Sequence, residues 1–387
     1  MKLFIILSRV PFPLDKGDKL RAFHQIQYLS KNNEIHLCCL NDKKTDDNSL
    51  KALEPFCKTI NVFHISIFSI LFNVFKAFLS GKPFQVGYFY NTRIKRKITA
   101  LVSEVKPDHI FCQLIRVSEY VKNSGIKKTI DYQDVLSKGM ERRLSNCPSY
   151  MKPLFKYEST KLKKYESYIF DFFNNKTIIS DSDRQCIDHK DKNDIIIVPN
   201  GVDIEYFKAS HKIKEYELLF TGNMSYPPNV LSVEYIVKKI LPLLYKFNPH
   251  IRLLIAGVDP SAKVKLLACD NVLVSGWLDD LRVCYDSSEI FVAPMQIGTG
   301  MQNKILEAMA MSLPCITSNL ANNSIGATDG KDVLIAEKPE QYAELIISLL
   351  NDKQKAKSIA ASGNAFVREN YNWEIQTKKL EELFLKS

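Results

Sequence analysis

Short uninterrupted apolar runs alternate along the chain with stretches whose apolar residues return every three or four positions. The first run, residues 3–7, is apolar throughout, as in a strand buried on both faces. A glycine-bearing loop over 8–18 follows, and then Leu20, Phe23, His24, Ile26 and Tyr28 fall near helical spacing. Further strands are expected at 35–40, 59–65, 109–113, 128–131, 177–180 and 194–198. The polar stretch 205–215 lacks an apolar period and reads as a linker. Beyond it the alternation resumes, with strands at 218–220, 253–256, 272–274, 290–293 and 314–317, and a helix over 229–244. Strands separated by helices imply βαβ units and parallel sheets. The expected fold class is therefore α/β with two such domains, 1–204 and 216–370, and a terminal helix over 371–387 that packs back on the first domain.

Two stretches stand apart. Residues 65–79 are crowded with Phe, Ile and Leu and carry one charge, Lys76. Aromatic Phe84, Tyr88, Phe89 and Tyr90 follow, and then basic Arg93, Lys95, Arg96 and Lys97. The expected role is a core helix covering the sheet; the alternative is a helix lying in a membrane surface with the basic residues near the headgroups. Residues 151–173 read as a helix, strongly basic on one side.

The 387 residues accommodate two domains of about 150–200 residues. Hydrophobic residues at 45% and charged residues at 25% suit a soluble globular chain. The net charge of +10 suits an anionic partner such as a nucleotide sugar or the cytoplasmic leaflet, and equally a lysine-rich solvated surface. Nine cysteines include no C-x-x-C, and Cys38, Cys39, Cys112 and Cys315 lie inside apolar runs. Reduced thiols and a cytoplasmic location are expected, with peripheral contact at the inner membrane left open. No leader is expected at the start, and no window reaches 18 uninterrupted apolar residues. The seven histidines form no H-x3-H or H-E-x-x-H arrangement, so no metal site is expected. No nucleic-acid-binding signature accompanies the charge, and no nucleic-acid partner is expected.

The strongest chemical signal is Gly298-Thr299-Gly300-Met301-Gln302-Asn303-Lys304-Ile305-Leu306-Glu307. It follows a buried strand and opens a helix. Two glycines let backbone approach a ligand closely. The unpaired amides and positive dipole end of the helix form an anion site suited to a diphosphate. Lys304 adds a positive charge, and Glu307, three residues on, shares its face. A carboxylate there can accept hydrogen bonds from both hydroxyls of a ribose. The bland reading is a surface Lys–Glu pair on a glycine-started helix. The pattern fails as a dinucleotide fingerprint, because Asn303 stands where the third glycine would be.

The run from Gly298 through Leu306-Glu307-Ala308-Met309-Ala310 to Pro314 resembles the signature of the family 4 (group 1) retaining glycosyltransferases. Phe220-Thr221-Gly222, Leu254-Ile255-Ala256-Gly257, Val274-Ser275-Gly276-Trp277-Leu278 and Val198-Pro199-Asn200-Gly201-Val202-Asp203 are similar to that family's motifs in order and spacing. Asn223-Met224-Ser225-Tyr226-Pro227-Pro228-Asn229 and the opening 8–19 resemble a bacterial subgroup that builds exopolysaccharide, capsule or lipopolysaccharide. The resemblance implies the GT-B architecture: an acceptor-binding and a nucleotide-sugar-binding Rossmann-like domain facing each other across a cleft. It implies a hexosyltransferase-like enzyme that needs no cofactor or metal, with a nucleotide-diphosphate sugar as co-substrate and a glycan or lipid-linked acceptor.

Departures from the family pattern sharpen the site. Thr299 stands where the first of two glutamates is usual, and Asn223 and Asn229 stand where Arg and Lys usually meet the diphosphate. The missing cation is then expected from Lys304. Donor contacts are expected from Gly222, Asn223, Asn229, Gly298, Thr299, Gly300, Met301, Gln302 and Glu307, and from Gly17 across the cleft. Lys304, Asp134 and Asp131 are the expected catalytic residues, although Asp134 equally suits a helix cap. Arg9 and Lys16 are candidate acceptor contacts or solvated surface charges. Two other functions remain open: a sugar-nucleotide epimerase of the same fold, and a non-catalytic anion- or membrane-binding protein.

Overall fold

The computed structural model describes residues 1–42, 46–210, 213–297 and 300–386. They form two compact units: the first comprises Met1–Pro199 with the segment from Trp373 onward, and the second is Asn200–Asn372. The stretch expected as a linker, 205–215, falls inside the second unit. Packing explains the difference. Phe207 lies against that unit's apolar core, and Ser210 donates its amide and hydroxyl to the two carboxylate oxygens of Asp286 at 2.9 and 2.6 Å.

In the first unit, β1 (Lys2–Leu7), β2 (Glu34–Asn41), β3 (Thr59–His64), β4 (His109–Gln113), β5 (Lys128–Asp131), β6 (Asn175–Ile178) and β7 (Ile196–Ile197) form a parallel sheet in the order β3-β2-β1-β4-β5-β6-β7. The unbroken apolar run of β1 is explained by its two covered faces. Leu3, Ile5 and Leu7 pack with Ala22 and Ile26 of α1 (Gly17–Leu29) and with Leu380 and Phe384 of the C-terminal helix Trp373–Lys386. Phe4 and Ile6 point the other way, into a second core. The C-terminal helix is bound to this unit by rings. Trp373 stacks on His24 at 5.1 Å between centroids, and Phe384 stacks on His109 at 4.6 Å.

The helix expected over 65–79 is present as α2 (Ile67–Leu79), with Ser66 capping the amide of Ser69. It is not the core helix expected. Ile70 and Ala77 turn inward, whereas Phe68 is 81%, Leu71 65% and Phe72 59% exposed. α2 packs on α3 (Phe84–Phe89). The second face of the sheet is covered instead by Ile94 and Ile98 of α4 (Thr92–Val105) and by Leu162 and Ile169 of a later helix, leaving the outer side of α2 bare.

That later helix is α6 (Lys152–Phe170), preceded by α5 (Leu136–Asn146). Val135, not Asp134, occupies the cap position of α5, and it makes no side-chain cap. Buried Glu166 of α6 takes over, accepting the Ser137 amide at 3.0 Å and its hydroxyl at 2.5 Å. Burial pushes the Glu166 carboxyl up to about 7, against those hydrogen bonds.

The second unit holds β8 (Tyr216–Thr221), β9 (Leu253–Ala256), β10 (Val272–Gly276), β11 (Ser288–Ala293), β12 (Cys315–Thr317) and β13 (Leu334–Ile335), parallel and ordered β10-β9-β8-β11-β12-β13. β13 is only two residues long and carries no readable pattern in the sequence. The helix expected over 229–244 begins as α7 (Pro227–Tyr235) and continues through a π-turn at Ile236–Ile240. Pro242 follows at once and has no amide proton for a regular helical bond, which accounts for the widened turn.

In both sheets the strand order reverses beside the first strand, between β1 and β4 and between β8 and β11. Loops leaving the carboxyl ends of those strands diverge there, and the gap between them is where open α/β sheets take ligands.

Candidate functional site

In the second unit the loops that diverge follow β8 and β11. Gly222 ends β8 at φ 147°, and Gly257 ends β9 at φ 137°. A Cβ on Gly257 would fall 1.8 Å from the Gly222 carbonyl oxygen, so only glycine lets these two strand ends approach. A Cβ on Gly222 would lie 2.6 Å from Asn229 Nδ2 and 3.2 Å from Lys304 Nζ. The bare backbone at Gly222 thus makes room for both polar groups above the strand end.

Lys304 lies on α9 (Asn303–Ala310), which follows β11 after the short α8 (Arg282–Asp286) has preceded that strand. Its ammonium donates to Asn229 Oδ1 and stands 4.6 Å from the centroid of the Phe220 ring. Asn229 is buried on α7 and donates from Nδ2 to the Asn223 carbonyl at 2.8 Å. Burial lowers Lys304 to about 7, against the upward pull of Glu307.

Glu307 lies one turn further along α9. Its Oε2 accepts the Tyr285 hydroxyl at 2.9 Å, and that hydroxyl pairs with Thr221 Oγ1, also at 2.9 Å. A carboxylate cannot donate, so Tyr285 gives its proton to Glu307 and accepts that of Thr221. Tyr285 is fully buried and fixes one carboxylate oxygen, whereas no donor among the described residues reaches Oε1. Burial pushes the Glu307 carboxyl up, while Tyr285 and Lys304 oppose the shift.

No side chain among the described residues caps the start of α9. Gln302 holds the cap position without a side-chain cap and donates instead to the Gly300 carbonyl at 2.8 Å. Asn303 Oδ1 is buried with no hydrogen-bond partner among the described residues. Met301 packs partly against the core. Gly298 and Thr299 lie outside the described residues. Asn223 is exposed, and its side-chain oxygen accepts the amide and hydroxyl of Ser225 at 2.8 and 2.7 Å. The second unit therefore gathers Gly222, Asn229, Lys304 and Glu307, and adds Tyr285 and Thr221, which the sequence did not single out.

The other expected residues belong to the first unit. Asp131, expected as a catalytic residue, lies inside the first unit with its carboxylate committed to neighbouring side chains. It is fully buried, with Oδ2 accepting from Arg21 Nε at 2.6 Å and Oδ1 accepting from Thr177 Oγ1 at 3.0 Å. Arg21, itself fully buried, also donates to the carbonyls of Val198 and Pro199 at 2.8 and 3.1 Å. Asp134 is exposed, and no side chain among the described residues pairs with it. Gly17 begins α1, and nothing stands within 4 Å of where its Cβ would be. Lys16 is exposed at the cap of that helix, and Arg9 pairs with Asp18 at 3.2 Å. Arg116, after β4, was not foreseen. It donates to Gln85 Oε1 at 3.1 and 2.8 Å, and burial and then Arg9 push its pKa down.

Two doubly covered parallel sheets, each reversing order beside its first strand, define the GT-B fold. HepE of Anabaena, in a crystal structure with UDP, is similar over 100% of both chains at TM-score 0.70 and 13% identity. Residues 215–352, which hold the site, match the family model described as glycosyl transferases group 1. Over that stretch the chain is similar to that family. Its relatives include an uncharacterized 44.6 kDa protein in the cps region of Klebsiella pneumoniae, 26% identical over 96% of each chain. The capsular polysaccharide biosynthesis glycosyltransferase CapM of Staphylococcus aureus is 25% identical over 48% of this chain and 52% of its own.

Proposed function

We propose that the chain is a retaining glycosyltransferase that moves a hexose from a nucleoside diphosphate to a glycan or lipid-linked acceptor in cell-surface polysaccharide synthesis. The observation that carries the reading is the face of α9 at the carboxyl end of β8. There a desolvated ammonium and a half-committed carboxylate stand one turn apart beside uncapped helix amides. The diphosphate lies against Lys304 and the first amides of α9, where dipole and charge act together. The ribose hydroxyls donate to Glu307, whose Oε1, met by no donor among the described residues, complements the Oε2 held by Tyr285. The capsule-region and capsular relatives support the pathway class, and the UDP complex of HepE supports the nucleotide.

In the reaction the bond from the sugar's anomeric carbon to the diphosphate oxygen breaks as the acceptor oxygen bonds to that carbon on the same face. The acceptor proton passes to the departing phosphate oxygen, so no strong protein base is required. Catalysis is then positioning and stabilisation of the leaving charge. Because Lys304 and the helix amides supply that positive charge, the reaction proceeds without a metal or cofactor, and chelation with EDTA should leave turnover unchanged. Asp134, the exposed carboxylate after β5, is the remaining candidate for the acceptor hydroxyl; Arg9, Lys16 and Arg116 suit an anionic acceptor.

Titration with UDP and GDP and assay of sugar transfer test the reading. Glu307→Ala should weaken nucleotide binding by about 10-fold or more, since a hydrogen bond to a charged group contributes roughly 1.5–3 kcal/mol. Lys304→Ala should slow transfer. Unchanged binding and turnover in both variants rejects the roles assigned, and conversion of donor in the absence of acceptor would reveal an epimerase.

A further inference from the structure

The outer face of α2 is apolar, fixed in place and uncovered. Phe68, Leu71, Phe72, Phe75 and Leu79 recur at helical spacing on that face, and all are exposed. The helix cannot roll to bury them, because its inner face is locked. Gly87 of α3 lies so close that a Cβ there would fall 2.4 Å from Ala77 Cβ. α3 is pinned in turn to α6, where Glu158 accepts the amides of Phe84 and Gln85 at 2.7 and 2.9 Å. The apolar surface then continues across the join. Phe78 meets Tyr157 of α6 at 5.8 Å between centroids, and exposed Tyr150 and Leu154 extend the stripe at helical spacing from Tyr157. A patch of this size on a single rigid face marks an interaction surface.

Charge identifies the occupant. From Pro55 to Ser103 the sequence holds no Asp or Glu but seven Lys and Arg residues, and residues 142–157 again hold no acid but four basic residues. Arg93, Arg96 and Lys97 of α4 are exposed. Lys76, the one charge on α2, lies back over the Phe72 ring at 4.8 Å, its stem along apolar surface. A second copy of the chain would bring the same cations against these. A soluble polyanion would leave the Phe and Leu side chains in water. An anionic bilayer answers both features, offering acyl chains to the apolar stripe and negative headgroups to the basic rim. α2 has 13 residues, and no helix among the described residues is long and apolar enough to cross a membrane, so α2 lies in the plane.

We propose that the first unit docks on membranes containing anionic lipid, with α2 embedded at the headgroup–acyl boundary through Phe68, Leu71, Phe72 and Phe75. The basic residues of α4 and of the start of α6 sit at headgroup level.

Flotation of the full chain with vesicles of phosphatidylglycerol and phosphatidylethanolamine, compared with phosphatidylcholine alone, tests this without nucleotide. The wild type should float with the anionic vesicles and only weakly with the neutral ones. Phe68→Ser, Leu71→Ser and Phe72→Ser together should lower partitioning by about tenfold or more, since each removes apolar insertion. Arg93→Gln, Arg96→Gln and Lys97→Gln together should abolish the preference for anionic vesicles and its salt sensitivity. All six positions are exposed, so both triple variants should keep the wild-type circular dichroism melt and nucleotide affinity. Failure of the wild type to bind anionic vesicles, or equal binding by the serine variant, overturns the proposal. So does a wild-type dimer that the serine variant dissociates and anionic vesicles leave intact.

Discussion

The Lys304 ammonium is held between an aromatic face and an amide oxygen, and loss of water there brings its pKa to about 7. In the unfolded chain the group keeps its ordinary value of 10.5. Between those values the unfolded state holds more protons, so this group makes the ligand-free protein gain stability as pH rises from 7 towards 10.5. Diphosphate binding has the opposite sign, because the anion needs the charged form. Nucleoside diphosphate affinity should be flat below pH about 7 and fall above it, approaching about tenfold per pH unit. Lys304→Met should remove both slopes while weakening binding throughout. Calorimetric titration across pH 6–9, paired with urea unfolding of the ligand-free protein, would show whether the two trends run in opposite directions.

At the same scale, the placing of Lys304 and Glu307 together was legible in the sequence because one turn of one helix carries both. Tyr285 and Thr221 were not, because only the fold brings β8, α8 and α9 together. The partner of Asp131 was not legible for a related reason. A carboxylate ending a buried strand looks the same in sequence whether it meets a ligand or an arginine, and Arg21 reaches it from 110 positions away.

At the scale of elements, the C-terminal helix is a working part of the first unit's core. Trp373 is 1% and Phe384 3% exposed, and the helix lays Leu380 beside the apolar side chains of β1 and α1. Trp373→Ala should lower the stability of the first unit by about 3–5 kcal/mol, the usual cost of emptying a large aromatic site. Denaturant unfolding followed by a probe in each unit should show the first transition move and the second stay. Equal movement of both would place Trp373 in the cooperative core of the whole chain. Most strands could be read directly, since a run covered on both faces is apolar without interruption. α2 was readable as a helix but not as an exposed one. Its apolar residues surround the axis, a pattern ordinarily produced by burial on all sides, and sequence cannot distinguish protein from lipid as the apolar surrounding.

At the scale of the molecule, the two units close their cores in different ways. The second is one continuous stretch, Asn200–Asn372, with a single core drawn from within it. The first is discontinuous: its core between β1 and α1 is completed by residues that the chain supplies only after the second unit has been made. Residues 200–372 expressed alone should therefore fold cooperatively. They should bind a nucleoside diphosphate as the full chain does, because Gly222, Asn229, Tyr285, Lys304 and Glu307 all lie within them. They should transfer no sugar, since the proposed acceptor contacts lie elsewhere. Residues 1–199 alone should expose the surface that Trp373, Leu380 and Phe384 cover and so fail to reach a cooperative fold. Adding a peptide of residues 373–387 should restore protection, read by amide hydrogen exchange in β1 and α1. If 1–199 folds alone with full protection, the C-terminal helix is an ornament on a finished core. If 200–372 folds but loses nucleotide, the site on α9 depends on groups outside its own unit.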